Sequence, residues 1–186
     1  MTKQEIRKEL RRRAKEELNA EHVQWASQVV VDLIETLPEF SEERRVGLYH
    51  ALPDEPNLAS LLDRYSSRMA LYLPRVEGDD IAYYRYRGPE DLRIGAFGIE
   101  EPKADPSEAL PPEKLDLILV PATAFDDNGF RLGRGKGFYD RFLPKAPNAC
   151  RVGVTYALMD TPQLPTDPWD TAMDVVVSPH GVRRCK

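Results

Sequence analysis

Residues 131–142, RLGRGKGFYDRF, carry three alternating glycines with Arg134 and Lys136 between them, three aromatics, and Asp140 just beyond the glycines. Glycines without a Cβ let backbone amides turn toward an anion. A helix starting near Phe138 would add the favourable field of its N-terminus. Arg134 and Lys136 bring two full positive charges to a polyphosphate, and Asp140 is an oxygen donor placed to hold a magnesium ion bridging phosphate oxygens. Neither familiar nucleotide signature fits. A Walker A loop follows its Gly-Lys with Ser or Thr, where this chain has Gly137, and a dinucleotide fingerprint needs a third glycine where Phe138 stands. On spacing alone the loop reads either as a phosphate site or as a glycine-rich turn with solvated basic residues.

A second pair of cations stands near the N-terminus. Lys3 and Arg7 are four residues apart, so on a helix they share one face and both can reach one phosphate group. Taken alone, a solvated charged face is the simpler reading. His22 and His180 have no partner in view and are expected to be bystanders.

These groups need a scaffold. Ile6, Leu10, Ala14 and Leu18 recur at near-helical spacing, which predicts an amphipathic helix docked on a larger body. A second helix is expected over residues 21–37, stopped by Pro38. Residues 45–52 read as a strand running into a loop, NLASLLDRYSS as a helix, and RMALYLPRV as a buried strand. DIAYYRYRG alternates like a more exposed strand. LDLILVPATAFD is a continuous apolar run of the kind a central parallel strand shows. GFYDRFL reads as a short helix, RVGVTYAL as a strand, and AMDVVVSP as the last strand. Strands alternating with helices predict an α/β sandwich with a mainly parallel sheet. The proline-rich stretches at 102–112 and 162–168 read as long ordered loops.

Whole-chain properties narrow the function classes. A length of 186 residues is expected to form one domain, residues 1–186, with a real apolar core. A net charge of −5 argues against a general nucleic-acid binder, although RYSS and YYRYRG interleave aromatics with arginine. Cys150 and Cys185 lack CxxC spacing, which favours free thiols in a reducing compartment. The N-terminus lacks the apolar core of a signal peptide, and no apolar run approaches the ~20 residues that span a bilayer. The expectation is a cytoplasmic protein with no membrane partner, monomeric for want of an exposed apolar helix stripe.

The segment FDDNGFRLGRGKGFYDRFL, following LILVPATAF, closely resembles the signature of the 5-formyltetrahydrofolate cyclo-ligase family, whose members are also called 5,10-methenyltetrahydrofolate synthetases. Phe125, Asp126, Gly129, Arg131, Leu132, Gly133, Gly135, Gly137, Phe138, Tyr139 and Asp140 all match it. Lys3 and Arg7 match the spacing of the family's opening helix, ALPDEPNLASLL its loop after the first strand, and FGIEEP a segment carrying an aromatic. DPWDTAMDVVVSP resembles the family's terminal segment, with Asp170 and Asp174 matching and Trp169 where a histidine is usual.

The resemblance implies a three-layer α/β/α sandwich, Rossmann-like, with a mainly parallel central sheet. It implies conversion of 5-formyltetrahydrofolate, with or without a polyglutamate tail, to 5,10-methenyltetrahydrofolate. ATP and Mg2+ would be required, and ADP and phosphate released. ATP would be held by Lys3, Arg7, Arg131, Leu132, Gly133, Arg134, Gly135, Lys136, Gly137, Phe138 and Tyr139, with Arg134 and Lys136 acting on the moving phosphoryl group. Folate would meet His50, Glu55, Phe97 and Tyr139, and the metal Asp140 and Asp174. Two alternatives stay open: another ATP-dependent α/β protein carrying the same loop, and a folate-binding homologue without turnover.

Overall fold

The structure is a computed structural model that describes residues 1–156 and 163–185. In chain order it comprises α1 (Lys3–Glu17), α2 (Ala20–Glu35), β1 (Arg45–Gly47), α3 (Ala59–Tyr65), β2 (Ala70–Glu77) and β3 (Asp80–Arg85). There follow β4 (Leu92–Ile94), β5 (Glu100–Pro102), β6 (Leu117–Pro121), β7 (Ala124–Phe125), β8 (Arg131–Leu132) and α4 (Phe138–Phe142). The last strands are β9 (Cys150–Val154), β10 (Val175–Ser178) and β11 (Gly181–Arg184). The end of the expected strand RVGVTYAL, at 157–158, and Pro162 of the second proline-rich stretch lie outside the described residues.

Seven strands form one sheet in the order β11-β10-β9-β6-β1-β2-β3. The five inner strands are mutually parallel, and only the edge strands β3 and β11 run antiparallel to their neighbours. Two small hairpins, β4–β5 and β7–β8, stand apart from it. Successive strand residues point to opposite faces. Leu117 and Leu119 of β6 join Val30, Ile34 and Leu61 from α2 and α3 in one core, while Ile118 and Val120 join Phe142 and Leu143 in the other. Apolar residues on both faces of the inner strands give the continuous runs visible in the sequence. The result is the expected three-layer α/β/α sandwich, its second outer layer built from α4 and the chain around it.

Local signals set the helix ends. A capping box starts α1: Thr2 Oγ1 accepts from the Glu5 amide at 3.3 Å, and Glu5 accepts from the Thr2 amide at 2.7 Å. Asn19 caps α2, which ends at Glu35 rather than residue 37; Leu37 instead closes a turn through its amide to Ile34 and remains in the core.

Two expectations change. Tyr83 and Tyr84 of β3 are fully buried, although the strand was expected to be more exposed. The proline-rich segment covers them: the Leu110 amide donates to Tyr83 O at 2.8 Å, and Arg75 stacks 4.0 Å over Tyr84 while donating to Ala104 O. In addition, β10 is not the last strand. Gly181, at φ 129°, turns the chain into β11, a short basic edge strand of the kind that discourages further pairing.

The chain lays β1, β2 and β3 outward in one direction, returns to place β6 on the other side of β1, and continues to β9 and β10. The order therefore reverses between β1 and β6. Such a switch point opens a crevice outside the carboxyl ends of the strands.

Candidate active site

A cavity of about 590 Å3 occupies that crevice. Tyr49 and His50 reach it from the end of β1, Pro121 and Ala122 from the end of β6, and Pro74, Val76 and Ile81 from β2 and β3. Lys3 and Arg7 enter from α1, and the loop from Arg131 to Asp140 forms another wall. A larger concavity of about 850 Å3 runs along the other side of α1 but contains no residue of that loop.

The loop is held from behind. Asp126 is fully buried and accepts the amides of Asn128 and Phe130 through one oxygen and that of Leu164 through the other. Gly129 sits at φ 83°, where a Cβ would meet the Met173 carbonyl at 2.7 Å. Asp126 and Gly129 thus build the turn that returns the chain as β8. Gly135 and Gly137 also have positive φ, 97° and 71°, which side chains disfavour. Gly137 ends the loop as the residue before α4, so the helix begins at Phe138 as expected.

Each cation on this wall except Arg7 and Lys136 meets a carboxylate. Lys3 Nζ lies 2.6 Å from Asp167 and 2.5 Å from Asp170. Burial works against the Lys3 ammonium, but the two carboxylates outweigh it and its pKa lies above the ordinary value. Arg131 pairs with Asp140 at 2.8 Å and lies 5.4 Å from the Tyr139 ring centre. Arg134 pairs with Asp54 and, at 3.1 Å, with Glu55. Arg7 donates to Gly133 O at 2.6 Å, fastening α1 to the loop. Lys136 is exposed, its Nζ 6.0 Å from the Phe97 ring centre, and has no carboxylate partner among the described residues.

The β2–β3 side is apolar. Phe97 stands 59% exposed at φ 61°, with Phe138 at 6.4 Å between ring centres. His50 Nε2 is buried without a hydrogen-bond partner among the described residues, and burial lowers its pKa despite the charge of Glu100, which keeps the ring neutral at pH 7. Burial pushes the Glu55 carboxyl upward, against the opposing pull of the Leu52 amide and Arg134. The Tyr139 phenol is likewise raised by burial and stays protonated.

All but two of the residues expected at the site line this one cavity. Leu132 is fully buried and packs with Ile6, Ala124 and Leu164, so it docks α1 and presents no side chain to the cavity. Asp174 is also misplaced by the expectation. It precedes β10 at the amino end of the parallel strands, and its carboxylate accepts from the Arg151 amide, Nε and Nη2. That position is at the opposite end of the parallel strands from the cavity, and the metal role assigned to Asp174 is withdrawn. Asp54 and Asp167 carried no assigned role, and Asp170 was matched without one. Lys3 and Asp170 are 167 positions apart, a pairing that no local pattern announces.

The 5-formyltetrahydrofolate cyclo-ligase family model matches residues 1–179. A Haemophilus influenzae 5-formyltetrahydrofolate cyclo-ligase is 31% identical over 182 residues, covering 94% of this chain and 97% of that one. A Mycolicibacterium smegmatis protein of the same name is 38% identical over 149 residues, 73% of this chain and 74% of that one. Among solved structures, Aquifex aeolicus 5,10-methenyltetrahydrofolate synthetase superimposes with a TM-score of 0.86 at 39% identity, covering 100% of this chain and 94% of that one.

Proposed function

The chain belongs to the 5-formyltetrahydrofolate cyclo-ligase family, and on that premise we propose that it converts 5-formyltetrahydrofolate and ATP to 5,10-methenyltetrahydrofolate, ADP and phosphate with Mg2+. The observation that carries this reading is one cavity with an apolar, aromatic side and a cationic wall, supplied by separate parts of the chain. A flat pterin suits the first and a triphosphate the second.

A formamide oxygen does not depart as hydroxide. ATP, when bound, supplies the phosphoryl group that makes this oxygen a phosphate leaving group in an iminium phosphate. The neighbouring folate nitrogen attacks the formyl carbon and releases its proton to solvent, the C–O bond to phosphate breaks, and the ring closes as phosphate leaves. Such transfer needs alignment and charge neutralisation rather than a protein nucleophile. Lys3 and Arg7 hold the nucleotide phosphates, and Arg134 and Lys136 stabilise the moving phosphoryl group. Glu55, His50, Phe97 and Tyr139 position the folate.

The residues fit a magnesium ion. Among the described residues no three acidic, histidine or cysteine side chains are drawn together as a ready cage. Mg2+ characteristically takes only one or two carboxylates besides phosphate and water. Asp140 would hold it, with Asp170, which lines the same cavity, in place of Asp174; the ion would neutralise phosphate charge. The proposal takes the protein to work as a cytoplasmic monomer of one domain. No helix among the described residues is long and apolar enough to cross a membrane.

Purified protein, ATP, Mg2+ and 5-formyltetrahydrofolate should yield methenyltetrahydrofolate absorbance together with stoichiometric phosphate. Folate binding with no product would instead identify a binding homologue. Phosphate release with another substrate and none with folate would identify a different ATP-dependent enzyme.

A further inference from the structure

Two large aromatic side chains stand exposed in the cavity: Phe97 at 59% and Trp169 at 65%. They belong to different sides of the switch point. Phe97 lies in the turn between β4 and β5, and β5 packs on β2; Trp169 lies between β9 and β10, beside α1. Phe97 already has company, with Phe138 at 6.4 Å and Lys136 Nζ at 6.0 Å. No ring or cation packs against Trp169 among the described residues.

The backbone around Trp169 is nevertheless fixed. The Asp170 amide donates to Asp167 O at 3.0 Å, and the Asp167 amide donates back to Asp170 Oδ2 at 2.8 Å. Both carboxylates hold Lys3 Nζ. An exposed indole is therefore carried on a closed turn whose acids grip a cation of the phosphate wall. A ligand whose anionic part reaches Lys3, with a flat ring beyond it, would meet this indole. The pterin is accounted for on the β2–β3 side.

We propose that Trp169 is the nucleotide-base platform of this protein, stacking on the adenine while Lys3 and the loop cations take the phosphates. The assignment rests on the ATP-dependent reading above and adds to it a residue that holds the base of the nucleotide. Base–aromatic stacking tolerates any base, so affinity should depend on the presence of a base more than on its identity.

The chain has two tryptophans, and Trp25 on α2 lines neither cavity, so Trp25→Phe leaves Trp169 as the sole indole reporter. In that variant, ADP with Mg2+ should change the emission saturably, and tripolyphosphate with Mg2+ should change it far less. By calorimetry, Trp169→Ala should weaken ADP about tenfold and leave tripolyphosphate affinity unchanged, with Trp169→Phe restoring most of the loss. If ADP binds the parent yet Trp169→Ala leaves its affinity intact, or weakens tripolyphosphate equally, Trp169 is not a base platform while the ATP reading stands. If neither ADP nor tripolyphosphate binds the parent, the ATP reading falls and this assignment falls with it.

Discussion

Of the three cations on the glycine-rich loop, Arg131 and Arg134 are held by carboxylates, and only Lys136 lacks one among the described residues. Its charge is the one most free to follow a phosphoryl group as negative charge moves. Lys136→Ala should therefore lower turnover about 100-fold, the scale of losing one transition-state donor, while folate affinity changes less than about threefold; near-normal turnover would remove Lys136 from the chemistry. Glu55 presents a different balance, because burial raises its pKa although Arg134 and the Leu52 amide oppose the rise. A carboxyl raised on folding contributes fully below its unfolded pKa near 4.5, and that contribution is lost as pH climbs toward the folded value. Denaturant titrations of Glu55→Gln against the parent should thus show the stability difference moving toward the variant between pH 4 and pH 7. A difference independent of pH would mean that Glu55 titrates alike in both states.

Elements explain why some site residues were legible in the sequence and others were not. The loop from Gly133 to Asp140 is one continuous piece whose glycines and charges are neighbours in the chain, so its chemistry could be read directly. The parallel core was legible for a similar reason: β6 and β10 are buried on both faces and appear as unbroken apolar runs. Pairing across elements leaves no such trace, as with Lys3 and Asp170, or Arg134 and Asp54. Leu132 shows the limit of a motif, since alternation along β8 turns it into the α1 cluster while Arg131 faces the cavity. Asp174 shows the same at the level of the sheet. It follows Asp170 by only four positions, but the chain between them runs from the cavity to the amino end of β10, where Asp174 clamps β10 to β9 through Arg151. Asp174→Asn should leave turnover and the Mg2+ dependence of the rate within about twofold, whereas Asp140→Asn should raise the Mg2+ requirement. Asp174 is partly exposed, so the lost ion pair should cost no more than about 1 kcal/mol in stability. A shift in Mg2+ dependence for Asp174→Asn would return that residue to the metal site.

At the scale of the whole molecule, the cavity is walled by the beginning, middle and end of the chain. Lys3 enters from the N-terminal helix, the glycine-rich loop follows β8, and Asp167 and Asp170 precede β10. The net charge of −5 does not by itself decide the approach of an anionic ligand, because local charge does. Of the five cations lining the cavity, Arg7 and Lys136 are the two not paired with a carboxylate among the described residues. Since α1 buries only Ile6 deeply, its attachment depends on the Leu132 cluster, on Arg7 to Gly133, and on Lys3 to the two aspartates. A nucleotide bound between α1 and the loop would tie that helix to the sheet, so binding should stabilise the fold as one unit. Calorimetric unfolding should show a single transition whose van't Hoff and calorimetric enthalpies agree. ADP with Mg2+ at about 100 times its Kd contributes about 2.7 kcal/mol, which should raise that transition by about 5–10 °C in a chain of this length. Two transitions, with only the lower one moved by ADP, would mean that α1 and its contacts unfold separately from the sheet and that the chain is not one cooperative domain.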